Sequence, residues 1–371
     1  MDKKWIQDCW CELDKKLSKT AVTSYDKIPY TTEKGIHNNM MLENKHWWTN
    51  GFWPALMVLM YNATKNEQYI KTARHAMDML DEALYSYEKL DHDVGFLWNI
   101  SSGTDYRITG DEKEKNRFLI AANHMMGRYN CDGEFFKAWN GSDEFMGWAI
   151  IDCMMNIPIL YRASEELKDN RFANAAIRFA NKTMKYHVRE DGSCNHINEY
   201  NPETGEFVRA VVGQGSGEES SWTRGQSWGI YGFVLSYKYT KDSAYLNTAK
   251  RIANYFIANA QANDWRVLCD FRQPAEPIIY DSTAAAIASC GMLEISKYVP
   301  DAEKNVYINA ATKLLKVLYD EFCDWSEEED SILQRGTEAY TRGIHMPIIY
   351  GDYFFAEAIY RLLGYDTEVL W

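Results

Sequence analysis

The 371-residue sequence lacks any apolar stretch of the roughly 20 residues that a spanning helix requires. Its longest uninterrupted one, about Ala55 to Tyr61, stops far short, so no membrane partner is expected. The opening residues, MDKKWIQDCWCELDKKL, carry charges at both ends and no apolar core before a small-residue cleavage site. They read as a surface helix, not a signal peptide. Cysteine is scattered: among eight, only Cys9 and Cys11 lie close together, no CxxC occurs, and the eight histidines form no HExxH. That spacing supports neither a zinc site nor a dense disulfide framework, and it predicts free thiols in a reducing cytoplasm with no metal or cofactor. Basic residues are outnumbered 40 to 53, a net charge of −13, which argues against a nucleic-acid partner held through clustered Lys and Arg. Glycine and proline together supply 30 residues, too few for a low-complexity chain, and no Pro/Gly/Ser-rich linker divides the sequence. One domain spanning residues 1–371 is the reading.

What is abundant is helical periodicity and aromatic side chains. Apolar residues recur at i, i+3, i+4 over Trp5–Leu17, Phe52–Tyr61, Glu67–Tyr85, Glu114–Met126, Phe145–Ala163, Asn170–Met184, Gly225–Tyr239, Ser243–Ala260, Ser282–Tyr298, Ala302–Phe322 and Tyr353–Leu363. Strand-like alternation is confined to short pieces such as Glu206–Val212. Tight connectors, including Asn62–Glu67, Leu167–Arg171 and Thr240–Ser243, hold Asn, Asp, Ser or Thr able to cap the next helix. Several helices open on an aromatic-polar-glycine cluster: Trp48–Trp53, Phe145–Trp148, Trp222–Trp228, Tyr280–Thr283 and Tyr350–Tyr353. Such recurrence is what repeated helical hairpins give. It predicts an all-α toroid, an (α/α)6 barrel, with the clusters meeting at one mouth. Eleven segments leave one partner helix unassigned. The 53 aromatic residues point to a very aromatic core or an aromatic-lined cleft.

Asp152 sits among apolar neighbours in Gly147–Pro158. Burial disfavours the charged carboxylate, so a raised pKa and a proton held near neutrality are expected. A buried structural Asp accepting a hydrogen bond is the alternative reading. Asp93, beside Gly95 in Asp91–Phe96, is either a local turn acceptor or one of two carboxyls at a shared mouth, the arrangement of glycosidic chemistry. Arg224 lies in the first helical turn after Gly213–Gly217. A cation is the wrong sign for a helix N-terminus, so it asks for an anion: a substrate carboxylate, or Glu218 or Glu219. His196 is a candidate ligand or a satisfied structural residue. Trp48, Trp139, Trp222 and Trp228 flank the polar clusters and either stack on sugar rings or belong to the core.

Trp48–Trp53, His92–Phe96, Ile151–Pro158, Trp222–Gly232 and Tyr350–Phe354 together resemble, in order and over almost the whole chain, the landmarks of glycoside hydrolase family 88, the unsaturated glucuronyl hydrolases. The Arg-Gly-Gln-x-Trp-Gly string at 224–229 is the most specific; the related unsaturated rhamnogalacturonyl hydrolases match it less well. The resemblance implies an (α/α)6 barrel that removes a 4,5-unsaturated uronic acid from lyase-generated oligosaccharides by hydrating its C4=C5 bond. It implies Asp152 as acid/base, with Asp93 holding substrate hydroxyls. His196, Gln214 and Arg224 would bind the uronate and position water, and Trp48, Trp139 and Trp228 would line the ring site, with His92 and Trp222 also placed among the binding residues. A polysaccharide lyase and an oligosaccharide importer are implied as functional partners. In the loop before Tyr350 this chain has Ala339–Gly343 where members favouring sulfated chains carry a Ser-rich, Lys-containing stretch, and Arg342 is expected to meet a sulfate or other substituent on the second sugar. An inverting hydrolase of saturated glycosides and a non-catalytic sugar-binding protein are the competing readings.

Overall fold

The computed structural model describes residues 4–371. Two kinds of helix alternate along the chain, and their burial separates them. Phe52–Thr64, Thr223–Thr240, Ser282–Ile295 and Ile349–Leu362 are buried on every side over most of their length. Glu67–Met79, Asn170–Tyr186, Ser243–Ala262 and Asp301–Val317 bury only a stripe. A helix that is apolar all round must be enclosed, whereas a striped one faces solvent. The first kind therefore forms an inner ring and the second an outer ring. The N-terminal helix Lys4–Thr23 supplies the outer partner of Ile349–Leu362, so the two ends of the chain close the toroid.

Four of the hairpin turns share one construction. The inner helix ends on a left-handed residue, Lys65, Gly110, Lys168 or Lys241, with φ of 58°, 74°, 54° and 59°. The next residue, Asn66, Asp111, Asp169 or Asp242, caps the outer helix by accepting a backbone N–H two residues on. A left-handed C-cap followed at once by an Asx N-cap reverses the chain with the orphan groups of both termini satisfied.

Two expectations are corrected. The unassigned partner is an inner element, Val94–Trp98 followed by Ser102–Thr109, between the periodic segments Glu67–Tyr85 and Glu114–Met126. Phe145–Ala163 is not one helix: a 3-10 turn Asp143–Gly147 leads to strand Trp148–Ile150, a second 3-10 turn Ile151–Met155, and only then the helix Pro158–Leu167. Pro158 sits at the first helical turn, where its missing N–H costs nothing, and the β-branched Ile150 and Ile151 favour the extended entry. With these two elements the inner ring has six members, Phe52–Thr64, Val94–Thr109, Ile151–Leu167, Thr223–Thr240, Ser282–Ile295 and Ile349–Leu362. Their N-terminal ends share one mouth. A three-stranded antiparallel sheet, Trp148–Ile150, Ile197–Tyr200 and Phe207–Val211, lies at that mouth, with Ile150 opposite Ile197 and Ile197 opposite Val211. Among the described residues no helix is long and apolar enough to cross a membrane.

Candidate active site

The mouth opens into a cavity of about 670 Å3. Of the residues singled out in the sequence, Trp48, His92, Asp93, Trp139, Asp152, His196, Gln214, Arg224 and Arg342 line it. Local structure explains their convergence. Trp48 opens the 3-10 turn that leads into Phe52–Thr64, Asp93 immediately precedes Val94–Trp98, Asp152 is in the Ile151–Met155 turn, and Arg224 is in the first turn of Thr223–Thr240. His196 immediately precedes strand Ile197–Tyr200, and Gln214 follows its partner strand Phe207–Val211 by three residues. Among the described residues no group of three or more His, Cys, Asp or Glu is placed to hold a metal ion.

Trp222 and Trp228 are the exceptions. Neither lines the cavity, and they are 1% and 0% exposed. The Trp228 ring lies in the floor against Phe96 and Phe354, at centroid separations of 5.1 and 5.6 Å. Trp222 stands behind the site, 4.2 Å from the His196 ring and 4.4 Å from the Arg224 guanidinium carbon. It backs two lining residues and presents no face to a sugar. Helical periodicity could not separate these tryptophans from Trp48 and Trp139, because all four adjoin polar clusters.

The two carboxyls differ in environment. Asp152 is 18% exposed at its side chain, and its Oδ1 lies 3.5 Å from His196 Nε2 with no closer hydrogen-bond partner. Burial pushes its pKa up, but His196, His92 and Arg224 together hold it below the usual carboxylate value. Asp93 shows the opposite. Burial, then the negative charges of Asp91 and Asp152, push it well above the usual value against a lowering by Asn156 and Arg128. The raised pKa expected at Asp152 is therefore found at Asp93, since Asp152 faces His196 and Arg224 whereas Asp93 faces the carboxyls of Asp91 and Asp152. Asp93 Oδ1 accepts from Asn156 Nδ2 at 2.8 Å, and Oδ2 is 3.6 Å from His92 Nε2. His92 is 2% exposed, and burial lowers its pKa, keeping the ring neutral.

His196 has a defined tautomer. Its Nδ1 accepts the Gln214 backbone N–H at 3.0 Å, so the neutral ring carries its proton on Nε2, facing Asp152. Gly213 is needed for this contact, because a Cβ there would overlap the imidazole. Arg224 is 2% exposed, and both its terminal nitrogens are engaged. Nη1 donates to Asp281 Oδ2 at 2.6 Å and Thr337 O at 2.5 Å, while Nη2 donates to Gln214 Oε1 at 3.1 Å and Glu338 O at 2.5 Å. The partner of Arg224 is thus Asp281, not Glu218 or Glu219. The longest of its bonds is that to the Gln214 amide. Arg342 is 69% exposed at the rim, 3.5 Å from Glu338.

Sequence reading missed Asn156, Asp281 and the rim residues His46 and Lys89. Asp281 lay in a cluster already noted, Tyr280–Thr283, and Asn156 follows Asp152 by one helical turn; nothing in the sequence distinguishes the rim residues.

The profile of Glycosyl Hydrolase Family 88 matches residues 20–236. The chain is 36% identical over 346 residues to an unsaturated glucuronyl hydrolase of Bacillus sp. (strain GL1), covering 91% of each sequence. It is 31% identical to an unsaturated chondroitin disaccharide hydrolase of Streptococcus pneumoniae (strain ATCC BAA-255 / R6), over 94% of this chain and 89% of that one. Its fold superposes with a TM-score of 0.90, at 32% identity and 97% coverage of both chains, on a solved complex of a UGL variant with dGlcA-Glc-Rha-Glc. With an α/α barrel whose mouth gathers Asp93, Asp152, His92, His196 and the buried Arg224, the chain belongs to glycoside hydrolase family 88.

Proposed function

We propose that this glycoside hydrolase removes the 4,5-unsaturated uronic acid from the non-reducing end of lyase-generated, glycosaminoglycan-type oligosaccharides. The observation that carries the reading is the Asp152 carboxyl, facing the cavity with its Oδ1 bonded to no donor closer than a neutral, oriented His196. In this scheme Asp152 gives its proton to C4 of the enol ether, and positive charge spreads over C5 and the ring oxygen. Water adds to C5 while the Asp152 carboxylate takes one of its protons, which restores the acid. The resulting hemiketal opens to a C5 ketone and frees the second sugar from C1, so no bond to C1 is attacked directly. One group gives and then takes a proton, and so its pKa must lie near the working pH.

In the free protein Asp152 is held too acidic for that task. The uronate corrects it. His196 is the main partner that holds the Asp152 carboxylate down and Arg224 a lesser one. An anion placed between Arg224 and Asp152 offsets the guanidinium charge and adds its own repulsion, and the sugar expels water, so each raises the Asp152 pKa. Asp93, His196 and Gln214 are assigned to the hydroxyls and carboxylate of the sugar, Trp48 and Trp139 to its faces, and Arg342 to a substituent on the second sugar. The whole chain is read as one domain. Its place is a reducing cytoplasm, with a polysaccharide lyase upstream and an importer delivering the fragments.

Mixing the protein with a lyase-generated unsaturated disaccharide and following the ultraviolet absorbance of the double bond tests this. Absorbance is expected to fall with wild type and roughly a hundredfold more slowly with Asp152→Asn, the scale of a general acid/base. Turnover of saturated glycosides would point instead to direct attack at C1. Binding with no loss of absorbance would leave only a sugar-binding role. Either result refutes the scheme.

A further inference from the structure

We infer that Asn156 is a positioning residue that frees the Asp93 carboxyl from its own helix and turns it toward the cavity; this rests on the reading that Asp93 touches the sugar. Asp93 occupies the N-cap of Val94–Trp98, where an Asp side chain ordinarily accepts the N–H of the second or third helical residue. Here it makes no such bond. The third residue, Phe96, donates its N–H to Asn156 Oδ1 at 2.8 Å instead. The Asn156 Nδ2 donates to Asp93 Oδ1 at 2.8 Å and to the Asp152 carbonyl at 3.3 Å. One fully buried amide thus takes over the capping, grips the released carboxyl and ties both to the turn that carries Asp152. The amide must have its oxygen toward Phe96 and its nitrogen toward Asp93, because the reverse would set donor against donor.

The approach that permits this is close. A Cβ on Gly95 would fall 2.6 Å from Asn156 Cα and 2.7 Å from its Oδ1. Glycine is required there by the Asn156 backbone and side chain, not by the helix. Four residues after Asp152, Asn156 stands where one turn brings its side chain back over the Asp152 carbonyl. The two carboxyls are therefore set relative to each other through a single side chain.

Asn156→Asp preserves the shape and tests the claim. Protonated, the new carboxyl donates to Asp93 as the amide does; ionised, it places a second negative charge against Asp93, so the pair holds its proton more tightly. The other groups facing Asp93 are Asp91 and His92 on its own segment, Asp152 and Cys153 on the turn, and Arg128, and none of them changes in the variant. N156D is expected to keep most of its activity at the acid end of the profile and to lose it as pH rises. Above the pH at which the new carboxyl ionises, an ionisation that wild type lacks, kcat/KM should fall more steeply than in wild type, by up to about tenfold per pH unit. The neutral Asn156→Ser, too short to bridge, should lose rate by one factor at every pH. In its crystal structure the Asp93 carboxyl should swing back to the Phe96 N–H. An N156D profile parallel to wild type, or N156S at full rate with Asp93 unmoved, overturns the inference. If N156D does not fold, N156S decides alone. The position of Asp93 in that crystal needs no substrate, whereas failure of the hydrolase reading appears as wild type leaving the unsaturated disaccharide intact.

Discussion

Asp281→Asn tests how the site holds its cation. Asp281 is 0% exposed and does two things at once. Its Oδ2 pairs with Arg224 at 2.6 Å, while Oδ1 caps Ser282–Ile295 by accepting the Thr283 N–H at 3.1 Å and its hydroxyl at 2.6 Å. An amide has one oxygen. If that oxygen keeps the cap, an NH2 group faces the guanidinium, donor against donor; if it turns to Arg224, the cap is lost. Either way a buried cation loses its counter-charge, a change that costs about 3–5 kcal/mol. At about 2.1 cal/mol/K per residue, unfolding a chain of this length carries an entropy of about 0.8 kcal/mol/K, so Tm should fall by about 4–6 °C. The same change has a consequence for catalysis. Unopposed, Arg224 pulls the Asp152 pKa further down, and a proton donor with a lower pKa is emptied at lower pH. The alkaline limb of the absorbance assay should move toward acid. Arg224→Met should cost a similar amount, and the double variant less than the two singles added, since each single leaves one buried charge unpaired. Calorimetry of the three variants and a pH profile of D281N check both parts. A Tm within about 1 °C of wild type, or additive losses in the cycle, would refute the reasoning.

Trp228→Ala should lower stability by about 3–5 kcal/mol, the cost of emptying a buried aromatic site, and leave KM within about twofold, whereas Trp139→Ala should raise KM with Tm nearly unchanged. Thermal melts beside saturation kinetics separate the two, and a KM effect confined to Trp228 would restore it to the ring site. Asp352 is buried beneath the Ile332 and Leu333 amides, and burial pushes its pKa up to about 7. The folded state therefore binds a proton more tightly than the unfolded chain between about pH 4 and 7, so this group favours folding at acid pH and its contribution declines as pH rises through 7. Asp352→Asn should flatten that decline, which melts at pH 5 and pH 8 will show; an identical slope in both proteins would exclude Asp352 as its source.

The toroid was legible because its inner helices are apolar on every side, and four of them, together with their capped partners, gave periodic segments with polar turns between them. The missing inner element was illegible for a physical reason. Val94–Thr109 carries Gly95, Ser101, Ser102 and Gly103, residues that weaken a helical pattern, and Gly95 is present because Asn156 packs against it. The tertiary contact that breaks the pattern lies 61 positions downstream, beyond any local window. The Phe145–Ala163 error has the same origin: the apolar run is continuous, but Trp148–Ile150 finds a strand partner in Ile197–Tyr200. For the site, motif order located Asp93, Asp152, His196, Gln214 and Arg224, and the fold brings them to one cavity. What could not be read was their charge state. Apolar neighbours pointed to a buried Asp152, whose side chain is in fact 18% exposed to the cavity, and which groups face it there is settled by elements distant in sequence, which reversed the expected shift.

That reversal bears on how a chain with a net charge of −13 can accept an anion. Distant surface charge is screened within about 8 Å at physiological salt, so the cavity decides. There the Arg224 charge is already matched by Asp281, and its four terminal N–H groups are taken. Attraction from the guanidinium alone is therefore weak, and under the proposed scheme a uronate reaches it by displacing the Gln214 amide, the longest of its four bonds. The inner helices add what the side chains do not. Their N-termini converge on the mouth, and orphan N–H groups there favour negative charge. Yet a bound carboxylate still has to share the cavity with Asp93 and Asp152, and three negative charges in so dry a space are resisted. The cheapest relief is a proton on one of the two aspartates. Asp93, buried beside Asp91 and Asp152, already favours its neutral form, and the arriving anion drives Asp152 the same way. On this reading substrate binding loads the acid that the substrate then consumes, and a neutral sugar of the same shape, which brings no charge, would leave Asp152 ionised and the reaction without its proton.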